Sequence, residues 1–270
     1  MRRIASRMSF RDHFSGVAEG YARYRPHYPR ALVELLAEGC PRHELAWEAG
    51  CGNGQLSVAL GDRFARVIAT DPARAQLEHA EPHPHVEYRC APAEHGGLPD
   101  ACADLAVAAQ AAHWFDWPAY VAEVERVARP GALCAILAYG NCWIARPGSA
   151  GARSNAERGG SIDGAADPIV RSYYDDLGPY WPPERRHIEN GYRELAWPWP
   201  AVAAPDIDMV AHWTRAELVG YLATWSATQK HIAALGGARF DDVCAELARV
   251  WPDGERRAVR WPLAIRLARR

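Results

Sequence analysis

The sequence predicts an α/β fold built on a parallel, doubly wound sheet. Between residues 45 and 139, short apolar runs alternate with amphipathic helical patterns, the order that produces a parallel sheet. The first run ends at Glu48 and is followed by three alternate glycines, Gly50, Gly52 and Gly54, and then by a helix start. This layout brings backbone close to a nucleotide-like ligand. At 270 residues, the chain is predicted to form one large domain, or one domain with an inserted cap.

The predicted elements follow from hydrophobic period and from breaking residues. Strands are predicted at residues 45–48, 64–70, 86–90, 103–109, 132–139, 208–213 and 257–267. Helices are predicted at residues 29–38, 55–60, 74–80, 118–129, 169–177, 215–235 and 240–250. Residues 145–167 lack a clean period and predict a loop. Residues 179–200, crowded with Trp and Pro, predict a lid over a pocket at the carboxyl ends of the strands.

The glycine spacing narrows the class of ligand. It reads G-x-G-x-G rather than the G-x-G-x-x-G of dinucleotide-binding proteins, and no basic residue follows it as in a P-loop. Because glycine lacks a Cβ, a cofactor can lie against the main chain. Asp71 ends the second strand, where a carboxylate is suited to accept hydrogen bonds from a ribose diol. These features favour a ligand that contains a nucleoside.

Composition argues against several classes of protein. Apolar residues make up 49% and charged residues 24%, as in ordinary globular proteins. A net charge of −2 without a basic stripe disfavours nucleic-acid binding. No run approaches the ~18 apolar residues of a membrane span, and no secretory signal is evident, so a cytoplasmic protein is expected. Seven cysteines without a CxxC pair disfavour a disulfide framework and a zinc site, and no metal is predicted.

Five marks, in order along nearly the whole chain, carry a resemblance to a known family. They are Phe14 with residues 21–29 (YARYRPHYP), the glycine motif, residues 112–116 (AHWFD), 177–181 (LGPYW) and 224–227 (TWSA). On these marks the chain resembles a class I S-adenosyl-L-methionine (SAM)-dependent methyltransferase, and in detail the trans-aconitate/cantharidin methyltransferase-like branch. The resemblance implies a Rossmann-like seven-stranded sheet whose last strand runs antiparallel at the sheet edge. It also implies an N-terminal cap segment, residues 8–29, and an inserted lid, residues 141–200.

The resemblance further implies SAM as cofactor and S-adenosyl-L-homocysteine as product. Glu48 would lie near the amino acid end of SAM, Asp71 would bind the ribose hydroxyls, and Glu94 would approach the adenine amino group. Arg25 would pair with the SAM carboxylate or with an acidic substrate. The residues implied to bind the cofactor are Tyr21, Arg25, Glu48, Gly50, Gly52, Gly54, Asp71, Ala93, Glu94 and Gln110.

On the substrate side, the resemblance implies aromatic walls with an arginine, which suit a small, flat or anionic molecule. The implied lining residues are Trp114, Tyr139, Trp143, Tyr180, Trp181, Arg185 and Trp225, with Arg186 as a further candidate. An equal alternative is that the tryptophans only form core between cap and sheet. His113 is the catalytic candidate, as a base or a positioning residue. A carboxylate acceptor, with a pKa near ~4, needs no base, whereas a phenol or ring nitrogen could pass its proton to His113.

The resulting hypothesis is SAM-dependent methylation of a small molecule, and the resemblance favours a carboxylic acid that gives a methyl ester. One alternative is O- or N-methylation of a natural-product phenol or heterocycle. Another is a non-catalytic SAM-binding protein. An NAD-dependent dehydrogenase shares the fold but is disfavoured by the glycine spacing and the AHWFD segment. The expected partner is a small-molecule substrate, with no nucleic acid and no membrane.

Overall fold

The computed structural model describes residues 24–146 and 163–270. Its strands are β1 (Leu45–Ala49), β2 (Arg66–Asp71), β3 (Val86–Cys90), β4 (Ala103–Ala109), β5 (Ala128–Tyr139), β6 (Trp143–Ile144), β7 (Ala201–Val202), β8 (Asp208–Trp213) and β9 (Arg257–Arg269). Its helices are α1 (Arg30–Glu38), α2 (Gln55–Gly61), α3 (Arg74–Leu77), α4 (Trp117–Val127), α5 (Ala166–Asp176), α6 (Arg185–Glu189), α7 (Arg215–Ala223), α8 (Ser226–Leu235) and α9 (Ala238–Val250). Tyr21 and most of the predicted N-terminal cap and 145–167 loop lie outside the described residues.

The predicted doubly wound sheet with an antiparallel last strand is confirmed. The sheet has nine strands, not the expected seven, because the short strands β6 and β7 join it. The strand order is β3-β2-β1-β4-β5-β9-β6, and β7 and β8 also pair with β9. Strands β1 to β5 are mutually parallel, and β9 runs antiparallel to β5. The order reverses between β1 and β4, and such a switch point opens a crevice beyond the carboxyl ends of the strands. The glycine turn after β1 lies at this crevice.

Side-chain alternation along the strands builds one core on each face of the sheet. In β4, Leu105 and Val107 pack on one face with apolar residues of α1 and α2. Ala106 and Ala108 pack on the opposite face with residues of α4. Every residue of β4 is buried, as expected for a parallel strand covered on both faces.

The last strand is antiparallel, but it does not lie at the sheet edge. β9 has 13 residues, about 40 Å of extended chain, which is long enough to serve several partners. Its second half pairs with β5 and β7, and its first half pairs with β6 and β8. The predicted edge position was wrong because the predicted strand at 208–213, β8, pairs with β9. The two-residue strands β6 and β7, which are too short to carry a strand pattern, pair with β9 as well.

A third core lies beside the sheet, among the helices that follow residue 163. Its largest members include Tyr173, Trp225, Trp251 and Trp261. The predicted single helix over residues 215–235 is two helices, because Trp225 adopts an extended conformation with ψ of 130°. The break turns Trp225 into this core, where its ring stacks on that of Tyr173 at 6.3 Å.

Residues 179–200 are more than the irregular segment that their composition predicts. They contain α6, and Ile188 and Tyr192 pack into the core on the α4 face of the sheet. The ring of Trp197 lies 4.8 Å from that of Trp117 at the start of α4. The segment is therefore anchored on the sheet as well as placed beside the crevice.

Within the two described ranges, no helix is long and apolar enough to cross a membrane. The same ranges contain no cluster of three or more His, Cys, Asp or Glu residues that could hold a metal ion. All seven cysteines are free thiols.

Candidate active site

The glycine turn follows β1 at the carboxyl edge of the sheet. Gly50, Gly52 and Gly54 have φ values of 68°, 56° and 86°, which L side chains rarely adopt. A Cβ on Gly50 would lie 2.5 Å from the Ala111 Cβ, and one on Gly54 would lie 2.1 Å from the Tyr88 hydroxyl. A Cβ on Gly52 would meet nothing within 4 Å. Packing therefore accounts for two of the glycines, and Gly52 presents open main chain to a ligand.

Asp71 joins the end of β2 to the glycine turn. Its Oδ2 accepts a hydrogen bond from the Gly52 N–H at 2.9 Å, and its Oδ1 accepts one from the Ala73 N–H at 2.8 Å. A carboxylate at the end of the second strand is suited to accept hydrogen bonds from a ribose diol. The side chain thus shapes the turn in addition to facing the site.

Glu48 lies beneath the same turn and is 2% exposed. Its Oε2 accepts a hydrogen bond from the Ser57 hydroxyl at 2.5 Å. Burial raises the pKa of this carboxyl to about 8, a shift that the Ser57 hydrogen bond opposes and the Asp71 charge supports. The carboxyl is therefore largely protonated at neutral pH.

Gln110 ends β4 in a strained conformation, with a φ of 55°. Its N–H donates to the Leu137 carbonyl at 2.9 Å, and its Nε2 donates to the Tyr139 carbonyl at 2.8 Å. Its Oε1 is buried and has no hydrogen-bond partner within residues 24–146 and 163–270. Leaving a buried acceptor unpaired costs about 1–3 kcal/mol, and strained residues cluster at functional sites. Gln110 is therefore a candidate hydrogen-bond acceptor for a ligand at this edge of the sheet.

A cavity of about 190 Å³ lies between this edge of the sheet and the helical core. Three cationic side chains line it, Arg25, Arg185 and Lys230. Of the part of the chain described, no Asp or Glu lines it. The other lining residues are Gln110, His113, Trp114, Tyr139, Gly140, Trp181, Pro182, Ile188, Tyr221, Thr224, Trp225, Ser226 and Gln229. The cavity is therefore aromatic and positively charged.

Neighbouring side chains hold Arg185 in place. Its guanidinium lies 4.0 Å from the centre of the Trp181 ring and 5.1 Å from that of Tyr174. Its Nε donates to the Tyr174 hydroxyl at 2.7 Å and lies 3.6 Å from a carboxylate oxygen of Glu189. These contacts use the Nε edge, so the terminal nitrogens remain available for a bidentate contact with an anion.

His113 lies at the cavity wall without carrying a charge. Its Nδ1 is 2.9 Å from the Tyr192 hydroxyl oxygen. Burial, supported by the positive charge of Arg185 and by His187, lowers the pKa of His113 to about 3. The imidazole is therefore neutral at physiological pH.

The structure brings many of the predicted site residues together and separates others. Trp143 and Tyr180 do not line the cavity. The Trp143 ring lies 5.6 Å from the Arg260 guanidinium, and the Tyr180 ring lies 5.1 Å from the His231 ring. Arg186 is exposed and points elsewhere. Beyond β3, Ala93 is buried, and Glu94 accepts a hydrogen bond from the Asp116 N–H at 2.8 Å.

Sequence reasoning missed several lining residues, among them Tyr221, Gln229 and Lys230. Tyr221 precedes the TWSA segment by about one helical turn, and Lys230 follows its start by about two turns. Lys230 is also the only lysine in the chain. A lone lysine could have drawn attention to this position. Only the break at Trp225, however, places α7 and α8 against the same cavity.

Comparisons with known proteins agree with this geometry. A family model described as a methyltransferase domain matches residues 47–136. A candidate methyltransferase of Dictyostelium discoideum is 30% identical over 235 residues, which cover 86% of this chain and 83% of that protein. The structure of a candidate type II methyltransferase from Anaeromyxobacter dehalogenans is 41% identical, with a TM-score of 0.80 and coverage of 91% and 98% of the two chains.

A malonyl-[acyl-carrier protein] O-methyltransferase of Serratia marcescens is 35% identical over 128 residues, which cover 43% of this chain and 50% of that protein. The longer matches, the family model and the fold agree with one another. The chain belongs to the class I SAM-dependent methyltransferase family, and SAM is its methyl donor.

The residues at the sheet edge fit this cofactor. Gly52 leaves space against the main chain, Asp71 places its carboxylate at the glycine turn, and the Oε1 of Gln110 is buried without a hydrogen-bond partner among the described residues. These are the features that a cofactor with ribose hydroxyls and an amino group would satisfy.

Proposed function

We propose that this methyltransferase methylates a carboxylate of a small anionic molecule and gives a methyl ester. The observation that carries the proposal is the cavity, which combines three cationic side chains with aromatic walls and has no acidic lining residue among those described. The acceptor is proposed to be a free small molecule in the cytoplasm rather than a nucleic acid or a membrane component.

The charge of the cavity favours an anion. Arg185 is held by stacking on Trp181 and by the Tyr174 hydroxyl, so little side-chain entropy is lost when it binds. A charge-assisted hydrogen bond contributes about 1.5–3 kcal/mol, roughly twice the neutral value. Arg25 and Lys230 add positive charge to the same cavity. A neutral phenol would offer these cations no charge-assisted contact.

The described lining residues include no usable base, and this also favours a carboxylate acceptor over a phenol. A phenol has a pKa of about 10 and must lose its proton before or during methyl transfer. His113, with a pKa of about 3, has little affinity for that proton, and its Nδ1 is engaged by Tyr192. Burial raises the pKa of Tyr221, so this residue is not ionised either. A carboxylate acceptor is already ionised and needs no base.

The predicted cofactor contacts belong to this proposal. Gly52, Asp71 and Gln110 are proposed to hold SAM against the ends of β1, β2 and β4. Bound SAM supplies an electrophilic methyl group, and the chain then has to orient the acceptor and exclude water. Glu48 and Glu94 are proposed to act at its amino acid and adenine ends, as predicted.

The inserted segment 141–200 is proposed to cover the acceptor, since Trp181, Arg185 and Ile188 contribute to one wall of the cavity.

Two further observations support a carboxylate acceptor. The Serratia relative acts, by its name, as an O-methyltransferase on a malonyl group, which carries a free carboxylate. The likeness to the trans-aconitate/cantharidin branch, from the sequence marks, also favours an acid.

The test is a methyl-transfer assay with SAM labelled at its methyl group. The panel pairs each small mono-, di- or tricarboxylic acid with its carboxamide, and includes phenols and nitrogen heterocycles. Each product is then treated with mild base, which hydrolyses methyl esters to methanol. Transfer to acids but not to amides, with the label released as volatile methanol, is the expected result.

Two other results would decide against the proposal. Base-stable label on a phenol or heterocycle would assign O- or N-methylation instead. Tight SAM binding with no transfer to any acid in the panel would remove the support for a carboxylate acceptor.

A further inference from the structure

Tyr192 lies directly behind His113, on the turn that follows α6. It has a φ of 56°, and the preceding Gly191 has a φ of 60°. A left-handed conformation costs a residue other than glycine about 1–2 kcal/mol. The side chain is nonetheless fully buried, with its ring nearly parallel to that of His113 at 6.1 Å. The fold thus tolerates local strain to place this hydroxyl.

The hydroxyl of Tyr192 makes one hydrogen bond with the described part of the chain, to the His113 Nδ1 at 2.9 Å. If Nδ1 carried a hydrogen and donated it, the hydrogen of this fully buried hydroxyl would have no acceptor, which costs about 1–3 kcal/mol. The hydroxyl hydrogen is therefore directed to the His113 Nδ1.

This direction determines the tautomer of the histidine. A neutral imidazole has one N–H and one bare nitrogen. Since Nδ1 accepts from Tyr192, the hydrogen of His113 must be on Nε2. The groups around the ring also oppose a second proton, because Arg185 and His187 are basic and the site is buried. With the described part of the chain, Nε2 makes no hydrogen bond, and His113 lines the cavity.

We propose that Tyr192 is a positioning residue that holds His113 as its Nε2–H tautomer, so that His113 acts as a hydrogen-bond donor to an acceptor oxygen and not as a base. The tautomer follows from the protein alone. The donor role rests on the proposed carboxylate acceptor. One carboxylate oxygen would be oriented by His113 while the other remains free to attack the methyl group.

The tautomer can be measured without any substrate, by nitrogen NMR on the full chain with labelled histidine between pH 5 and 8. The His113 signals are assigned by their loss in His113→Gln. We expect Nε2 to be protonated and Nδ1 bare in the wild type throughout this range. In Tyr192→Phe the ring should take up a mixture of tautomers or titrate.

The matched control is Tyr173→Phe. Tyr173 is equally buried and its hydroxyl bonds Thr228 at 3.0 Å, in the helical core away from His113. This variant should leave the His113 signals unchanged. A wild-type His113 that carries its proton on Nδ1, or that titrates between pH 5 and 8, would overturn the proposal even if Tyr192→Phe does not fold.

The donor role is tested with an acid found by the transfer assay. The amide N–H of Gln can replace an Nε2–H, so His113→Gln should keep turnover within about 10-fold of wild type, whereas His113→Leu should lose about 10–100-fold. If His113 acted as a base, both substitutions would remove that base and should lower turnover equally. Equal loss would therefore refute the donor role, while leaving the NMR assignment and the carboxylate acceptor to their own tests.

Discussion

The active site has two walls, one expected to contact the cofactor and one expected to contact the methyl acceptor, and they differ in the groups that they present. The cofactor wall, at the ends of β1, β2 and β4, consists of glycine backbone and short side chains, with Gly52 and Asp71 joined by a hydrogen bond. The acceptor wall consists of long aromatic and cationic side chains such as Trp181, Arg185 and Lys230. Backbone recognition tolerates few substitutions, whereas a side-chain wall can change without disturbing the sheet. We therefore expect the first wall to be shared by related methyltransferases and the second wall to determine the substrate.

The sharpest test of the cofactor wall compares glycines that share a backbone conformation. Gly52→Ala should fold, since its Cβ meets open space, but the methyl group would occupy the ligand's position. SAM affinity should fall by at least about 100-fold, or roughly 2.7 kcal/mol by calorimetry. Gly254→Ala, with a φ of 77° and open space, carries the same strain in a distant turn and should bind SAM normally.

Gly54→Ala serves as the contrasting variant, because its Cβ would strike the Tyr88 hydroxyl. Its melting temperature should fall together with its SAM binding. Equal SAM affinity in Gly52→Ala and Gly254→Ala would mean that the turn does not contact the cofactor.

The next prediction tests the acceptor wall. Arg185→Met should raise KM for an acidic acceptor by about 10–100-fold through loss of a charge-assisted contact, while SAM affinity stays within about twofold. Arg186→Met is the matched control, since Arg186 is the exposed neighbour and does not line the cavity. A parallel loss of SAM affinity in Arg185→Met would mean that Arg185 also contributes to SAM binding, so the two walls would not be separate.

Glu48, beneath the glycine turn, and His113, at the cavity wall, should change the stability of the folded protein in opposite directions as the pH changes. Glu48 has a folded pKa of about 8, above its ordinary 4.5, so its contribution to stability is complete below pH 4.5 and is lost as the pH rises towards 8. His113 has a folded pKa of about 3, below its ordinary 6.5, so its contribution is lost as the pH falls below 6.5.

Denaturant unfolding of wild type and Glu48→Gln across pH 5–8 measures the first effect. A single group changes the unfolding free energy by at most about 1.4 kcal/mol per pH unit. The decline of stability between pH 5 and 8 should be weaker in Glu48→Gln than in wild type. Identical pH profiles would show that Glu48 is ionised in the folded protein.

The smallest expected effect is at Lys230, which is exposed and screened by solvent. Lys230→Met should raise KM for an acidic acceptor by only about 2–5-fold, and 0.5 M salt should abolish most of the difference. Lys230→Arg, which keeps the charge, should stay near wild type. An effect that persists in high salt would indicate direct, desolvated contact with the acceptor.

Much of the cofactor wall could be predicted from local patterns. The alternation of strands and helices over residues 45–139, the glycine spacing and the place of Asp71 depend on near neighbours in the chain, and the structure confirms the fold. The roles of Gly50 and Gly54 could not be separated from that of Gly52, because their partners, Ala111 and Tyr88, are distant in sequence.

The acceptor wall was predicted less well. Trp143 and Tyr180 have the residue type of a pocket, but which way a ring turns depends on the core around it. The aromatic content of residues 179–200 gave no sign that Tyr192 would meet His113, 79 residues earlier. Composition could indicate an aromatic and basic wall without assigning its members.

By itself, the sequence determined the class of fold, the cofactor edge and the general chemistry of the cavity, since period, glycine spacing and residue type act over a few residues. Only the tertiary structure decided the position of β9, the break at Trp225 and the neutral state of His113. Each of these depends on burial and on contacts between distant segments, which no local pattern of residues specifies.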